Sequence, residues 1–166
     1  MKFKIVLAAC LFTCAIASAQ TSADFDKVTL EQKADYKTAE PQVLEATQLL
    51  LNNPIEKDNV QRLRATSFIM KWMTGTPDYT FALREQDGKV FKKDLDITGL
   101  YFAAMVQACL QNPADCGNDK ALRLQAYKLL IAYVSQPGNN AKPSKELKKL
   151  VEAEKDGKLE GALTSR

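Results

Sequence analysis

Leu49-Leu50-Leu51-Asn52-Asn53-Pro54 and Ala108-Cys109-Leu110-Gln111-Asn112-Pro113 decide the fold of this chain. In each, an apolar run with helical recurrence stops at an Asn-Pro step, where proline cannot continue a helix. The two stretches lie 59 residues apart (108 − 49). Beyond the turn the match resumes at 61: Arg62-Leu63-Arg64-Ala65 aligns with Arg123-Leu124-Gln125-Ala126. Phe68-Ile69-Met70-Lys71-Trp72-Met73 then aligns with Leu129-Leu130-Ile131-Ala132-Tyr133-Val134 at the same offset. The two-residue change falls in the loop that carries Cys116.

The flanking periodicity predicts helices on both sides of each turn. Pro41 suits a first helical turn, and Val43, Leu44, Ala46, Thr47, Leu50 and Leu51 recur at three- and four-residue steps. A partner helix is expected from an N-cap at Asp58 through Trp72 and Met73, with Gly75 as a left-handed C-cap. Asp96 to Gln111 is apolar nearly all round, as in a helix buried on most faces. Another helix runs from about Asp119 to Val134 and ends at Pro137-Gly138. The two helical pairs, over roughly 39–135, resemble tetratricopeptide-like α-α repeats, although the spacing is near 60 residues and the usual Gly and Tyr positions do not line up. Chance similarity between amphipathic helices is the alternative.

Between the pairs, 76–93 carries two conflicting signals. Thr76-Pro77-Asp78 reads as a helix start, and Asp87-Gly88 as a β-hairpin turn. Glu85 falls on the Phe81/Leu83 face and spoils the strand alternation, so a connector with a short helix is favoured. After Pro143, Leu147, Leu150 and Val151 form one stripe among Lys and Glu, an amphipathic capping helix that Gly157 closes.

The N-terminus reads as an address. Lys2 and Lys4 precede an uncharged apolar run, and Ala17-Ser18-Ala19 offers a small-x-small cleavage site between Ala19 and Gln20. The short n-region and the Ala-Gln junction resemble signal peptides of the Bacteroidetes group. Ile5 to Ala19 is fifteen residues, short of the roughly 20 a membrane span needs. Leu7-Ala8-Ala9-Cys10 resembles a lipobox, but its apolar stretch from Ile5 to Ala9 falls below the roughly 7–15 residues export requires, which argues against lipidation at Cys10. The expected organisation is a signal peptide at 1–19, a polar leader at 20–37, one helical domain at 38–158 and a tail at 159–166. The leader would become ordered where Phe25, Val28, Leu30 and Tyr36 dock.

Cleavage would leave 147 residues (166 − 19), enough for a real core. Net charge falls to +1, with 21 Lys and Arg (23 − 2) against 20 Asp and Glu, which gives no reason to expect a nucleic-acid partner. There is no histidine, so the commonest general base and metal ligand are missing. Cys109 and Cys116, six residues between them, fit neither a zinc site nor a C-x-x-C redox pair. In an oxidising compartment a structural disulfide is expected, the alternative being a buried or free thiol pair. Because Leu50 stands where the second pair has Cys109, the bridge would hold the longer 112–117 loop and not the turn itself.

No catalytic residues, cofactor site or metal site are proposed from these motifs. Trp72, Tyr79 and Phe81 around the Gly75-Thr76-Pro77-Asp78 turn, with Tyr101 and Tyr133, are the candidate partner or ligand surface, against the plainer reading that they pack a seam. Arg62, Arg64 and Arg123 could meet an anion or simply be solvated. The expected function is an exported, periplasmic or extracellular interaction or structural module of the cell envelope, without a membrane span in the mature chain and partnered by another envelope protein. The alternative is a binder of a small or lipid-like ligand, with an enclosed pocket at Met70, Met105, Phe68 or Phe102. An enzyme is the least favoured class.

Overall fold

A computed structural model describes residues 24–91 and 94–164. The expected signal segment, its Ala19/Gln20 junction and Cys10 lie outside the described residues. Within them the chain is all-α, with no strand: α1 (Lys33–Thr38), α2 (Glu40–Asn52), α3 (Val60–Gly75), α4 (Glu85–Phe91), α5 (Leu95–Gln111), α6 (Asp119–Val134), α7 (Lys145–Lys155) and α8 (Leu159–Thr164).

Side-chain caps start four of the five long helices, α3, α5, α6 and α7, by accepting otherwise unpaired amide protons. Asn59 caps α3 at Arg62 N, Asp94 caps α5 at Ile97 N, Asn118 caps α6 at Ala121 N, and Ser144 caps α7 at Leu147 N. The α3 cap is therefore Asn59, one residue beyond the expected Asp58, which instead takes a left-handed turn at φ 59°. Gly75 also differs from expectation. It is the last residue of α3, and Thr76 follows it in extended conformation. Gly75 is needed for space, because a Cβ there would overlap the Tyr36 ring. Gly157 does take the left-handed position, at φ 68°. Its own N–H bonds Glu154 O and that of Lys158 bonds Ala153 O, the paired bonds of a Schellman stop.

α2 packs on α3, α5 on α6, and α2 on α5. The direction of these contacts is informative. Tyr133, at the end of α6, donates to Asn53 O at the end of α2, and Asn140 Nδ2 donates to Ile55 O. The ends of α2 and α6 thus meet, and because α5 and α6 are joined by a short loop, α5 runs opposite to α2. A translational stack of hairpins would set α2 and α5 in the same direction. The burial registers of the aligned positions nevertheless agree: Ala65 with Ala126, Ile69 with Leu130 and Trp72 with Tyr133 are all buried.

The flanking segments are part of the core. Phe25 stacks on Phe68 at 5.3 Å, and Leu30 is buried, so the polar leader docks through the apolar residues expected to do so. The expected tail carries α8, whose Leu159 and Leu163 are buried. The connector contains α4 and no hairpin. Asp87-Gly88 sits inside that helix because Asp87 is drawn to α6, a tertiary contact that overrides the turn signal.

Candidate functional site

The aromatic residues singled out from the sequence occupy the interior. Trp72 is wholly buried, donates Nε1–H to Tyr36 O at 2.9 Å, and packs against Tyr79 and Phe81. Tyr79 is half-buried and donates to Glu40 Oε1, and burial followed by that bond raises its pKa. Tyr101 is wholly buried, and its hydroxyl has no hydrogen-bond partner among the described residues. Tyr133 is buried and held by Asn53 O at 2.8 Å. Trp72, Tyr101 and Tyr133 therefore cannot present a docking strip. Their rings fill the seam, because aromatic area is most stabilising when removed from water. Cys109 and Cys116 form a disulfide that ties the 112–118 loop to α5.

Of the three arginines noted in the alignment, Arg62 and Arg123 are buried, whereas Arg64 is exposed and paired with Asp26. Arg62 donates Nη1 to Leu50 O and Asn53 O, closing the end of α2. Arg123 meets Asp87, which is 0% exposed, through Nε at 3.1 Å and Nη2 at 2.7 Å. Tyr127 OH and Arg84 N also donate to Asp87, and Arg123 Nη1 donates to Leu163 O. Burial works against the Arg123 charge, but the bonds to Asp87 outweigh it and raise the arginine's pKa. Burial likewise raises the pKa of Tyr101 and Tyr127. With Arg123 and the Tyr127 hydroxyl committed, this cluster fastens α4 and α8 onto α6. The small hollow of about 150 Å³ beside it is lined by Arg84, Lys120 and Glu160, which are spent in the Arg84–Asp119 and Lys120–Glu160 pairs.

The open feature lies elsewhere. α3 and α5 begin at the same end of the molecule and flank a cleft of about 510 Å³. Its walls carry Leu63, Ser67 and Met70 from α3 and Leu95, Thr98 and Phe102 from α5, with Leu50 and Leu100 deeper. Leu63 is 65% exposed, Met70 44% and Leu95 84%, and Val60 continues the α3 stripe at 57%. Where the walls converge, a Cβ on Gly99 would lie 3.1 Å from the Thr66 methyl, so glycine there sets how closely the helices approach. Glu56, Lys57, Asp58 and Asp96 form the charged rim. Of the residues expected to enclose a ligand, Met70 and Phe102 line this open cleft, whereas Phe68 and Met105 are buried in the core.

Sequence periodicity held the signal for this cleft. Ala65, Phe68, Ile69 and Trp72 make the buried face of α3, and Val60, Leu63 and Met70 fall on the opposite face. A second apolar stripe on a helix whose first stripe is already buried calls for a second contact. Among the described residues, no group of three or more potential metal-ligating His, Cys, Asp or Glu side chains is assembled, and no helix is long and apolar enough to cross a membrane. Compared with protein-family models, with curated proteins and with solved structures, the chain matches none.

Proposed function

We propose that this is an exported protein-interaction module whose docking site is the α3–α5 cleft. The observation that carries the reading is the exposure of Leu63, Met70 and Leu95 around one concave, charge-rimmed surface. Contiguous apolar surface rimmed by polar groups is the signature of a contact site, whereas singly scattered leucines are ordinary. The ligand-binding alternative is less favoured, since its four residues divide between core and cleft and enclose no common space.

A photo-crosslinking side chain placed at Leu63 in producing cells tests the proposal, with Lys148 on α7 as the control position. The expected result is an adduct of polypeptide mass at position 63 and none at 148. Adducts of lipid mass, equal labelling at both positions, or no adduct would overturn it.

A further inference from the structure

Resting on that reading, we infer that the cleft's occupant is an amphipathic helix of another protein, with basic residues beside its apolar anchors. The helical form of the partner follows from the walls. Leu63, Ser67 and Met70 stand at i, i+4 and i+7 along α3, and Leu95, Thr98 and Phe102 at i, i+3 and i+7 along α5. Two helices that start at the same end and expose such rows leave a trough suited to a third helix, whose own side chains recur with the same spacing. Addition of an extended peptide as a β-strand would need an unpaired sheet edge, and the described residues contain no strand.

The charge preference follows from the rim. Glu56, Asp58 and Asp96 are exposed, and none forms an ion pair among the described residues. Among the described residues that line the cleft, Lys57 is the one exposed cation. Arg62 also lines it, but its guanidinium is buried and turned to the Leu50 and Asn53 carbonyls. The leucines supply contact area, and the three carboxylates select the sign of the partner's flanks.

The test uses two fluorescently labelled amphipathic peptides of equal length, one leucine/lysine and one leucine/glutamate, titrated with the mature protein at physiological salt. The expected result is binding of the lysine peptide about tenfold or more tighter, equivalent to about 1.4 kcal/mol. Leu63→Asp should abolish binding of both. The exposed triple variant Glu56→Lys, Asp58→Asn, Asp96→Lys should remove or reverse the preference while its circular dichroism stays that of the parent. Asn is chosen at 58 because it tolerates the left-handed backbone there. Equal affinities, no binding, or a preference unchanged in the triple variant would overturn the inference. Polypeptide crosslinks at position 63 would in that case still uphold the docking site itself. A dimer in sedimentation equilibrium that Leu63→Asp dissociates would name a second copy as the occupant and overturn the inference in favour of self-association.

Discussion

Arg62 and Arg123 occupy matching places in the two helical pairs, and each is buried, yet they are neutralised by different means. Arg62 rests on the carbonyls of Leu50 and Asn53, at the negative end of the α2 dipole. Arg123 rests on a full carboxylate brought in by α4 and also takes the carbonyl of Leu163 in α8. The first arginine closes its own turn. The second gathers two distant segments, which gives α4 and α8 a place in the fold despite their shortness. One buried cation can thus serve local or long-range order, depending on whether its counter-charge comes from the backbone or from a side chain.

The largest effect that could break this comparison is expected from Asp87→Ala. It strands the Arg123 charge in the interior and should cost about 3–5 kcal/mol in urea unfolding. A loss below about 1 kcal/mol would show that Arg123 does not depend on the carboxylate. Arg62→Met should cost less, about 1–3 kcal/mol, because it leaves carbonyls and not a charge without partners. If Arg62→Met proves the more damaging of the two, the ordering proposed for the two pairs is reversed.

The smallest effect concerns pH. The folded protein holds the Tyr101 and Tyr127 protons more tightly than the unfolded chain does, because burial disfavours the phenolates. Free tyrosines titrate near about 10. Stability should therefore be full below about pH 10 and fall as pH rises toward the folded-state values. The slope is about 1.4 kcal/mol per pH unit for each tyrosine. Tyr101→Phe, which removes a hydroxyl without a partner, should leave neutral-pH stability nearly unchanged and make the alkaline decline shallower. An unaltered alkaline slope in denaturant titrations would contradict this account.

The five long helices were legible because their apolar recurrences are long, and four of them have chemical stops: Asn53-Pro54, Asn112-Pro113, Pro137 and Gly157. What escaped reading was decided by contacts from far along the chain. A short connector helix was expected, but its place at Glu85–Phe91 was hidden by an Asp-Gly pair whose aspartate is claimed by α6, and α8 is too short for periodicity to register. The aromatic residues were legible both as a candidate surface and as seam packing, and the burial of Trp72, Tyr101 and Tyr133 decides for the seam. For the cleft, Leu63 and Met70 were visible as apolar residues, while Leu95 gained meaning only when α5 was set beside α3.

The meeting of α2 and α6 at their C-terminal ends also bears on the order of assembly. The Tyr133–Asn53 bond closes a separation of 80 residues, and the Asn140–Ile55 bond one of 85. Neither can form until the chain has been made past Tyr133 and Asn140. Until then α2 and α3 would stand as a half-structure with the apolar edge around Leu50 uncovered, the kind of intermediate that draws chaperones and misassembles when crowded. Non-local closure of this kind also slows folding relative to helical arrays built from neighbouring contacts. Arrival of the end of α6, more than formation of the first helices, then sets the moment at which the protein becomes compact.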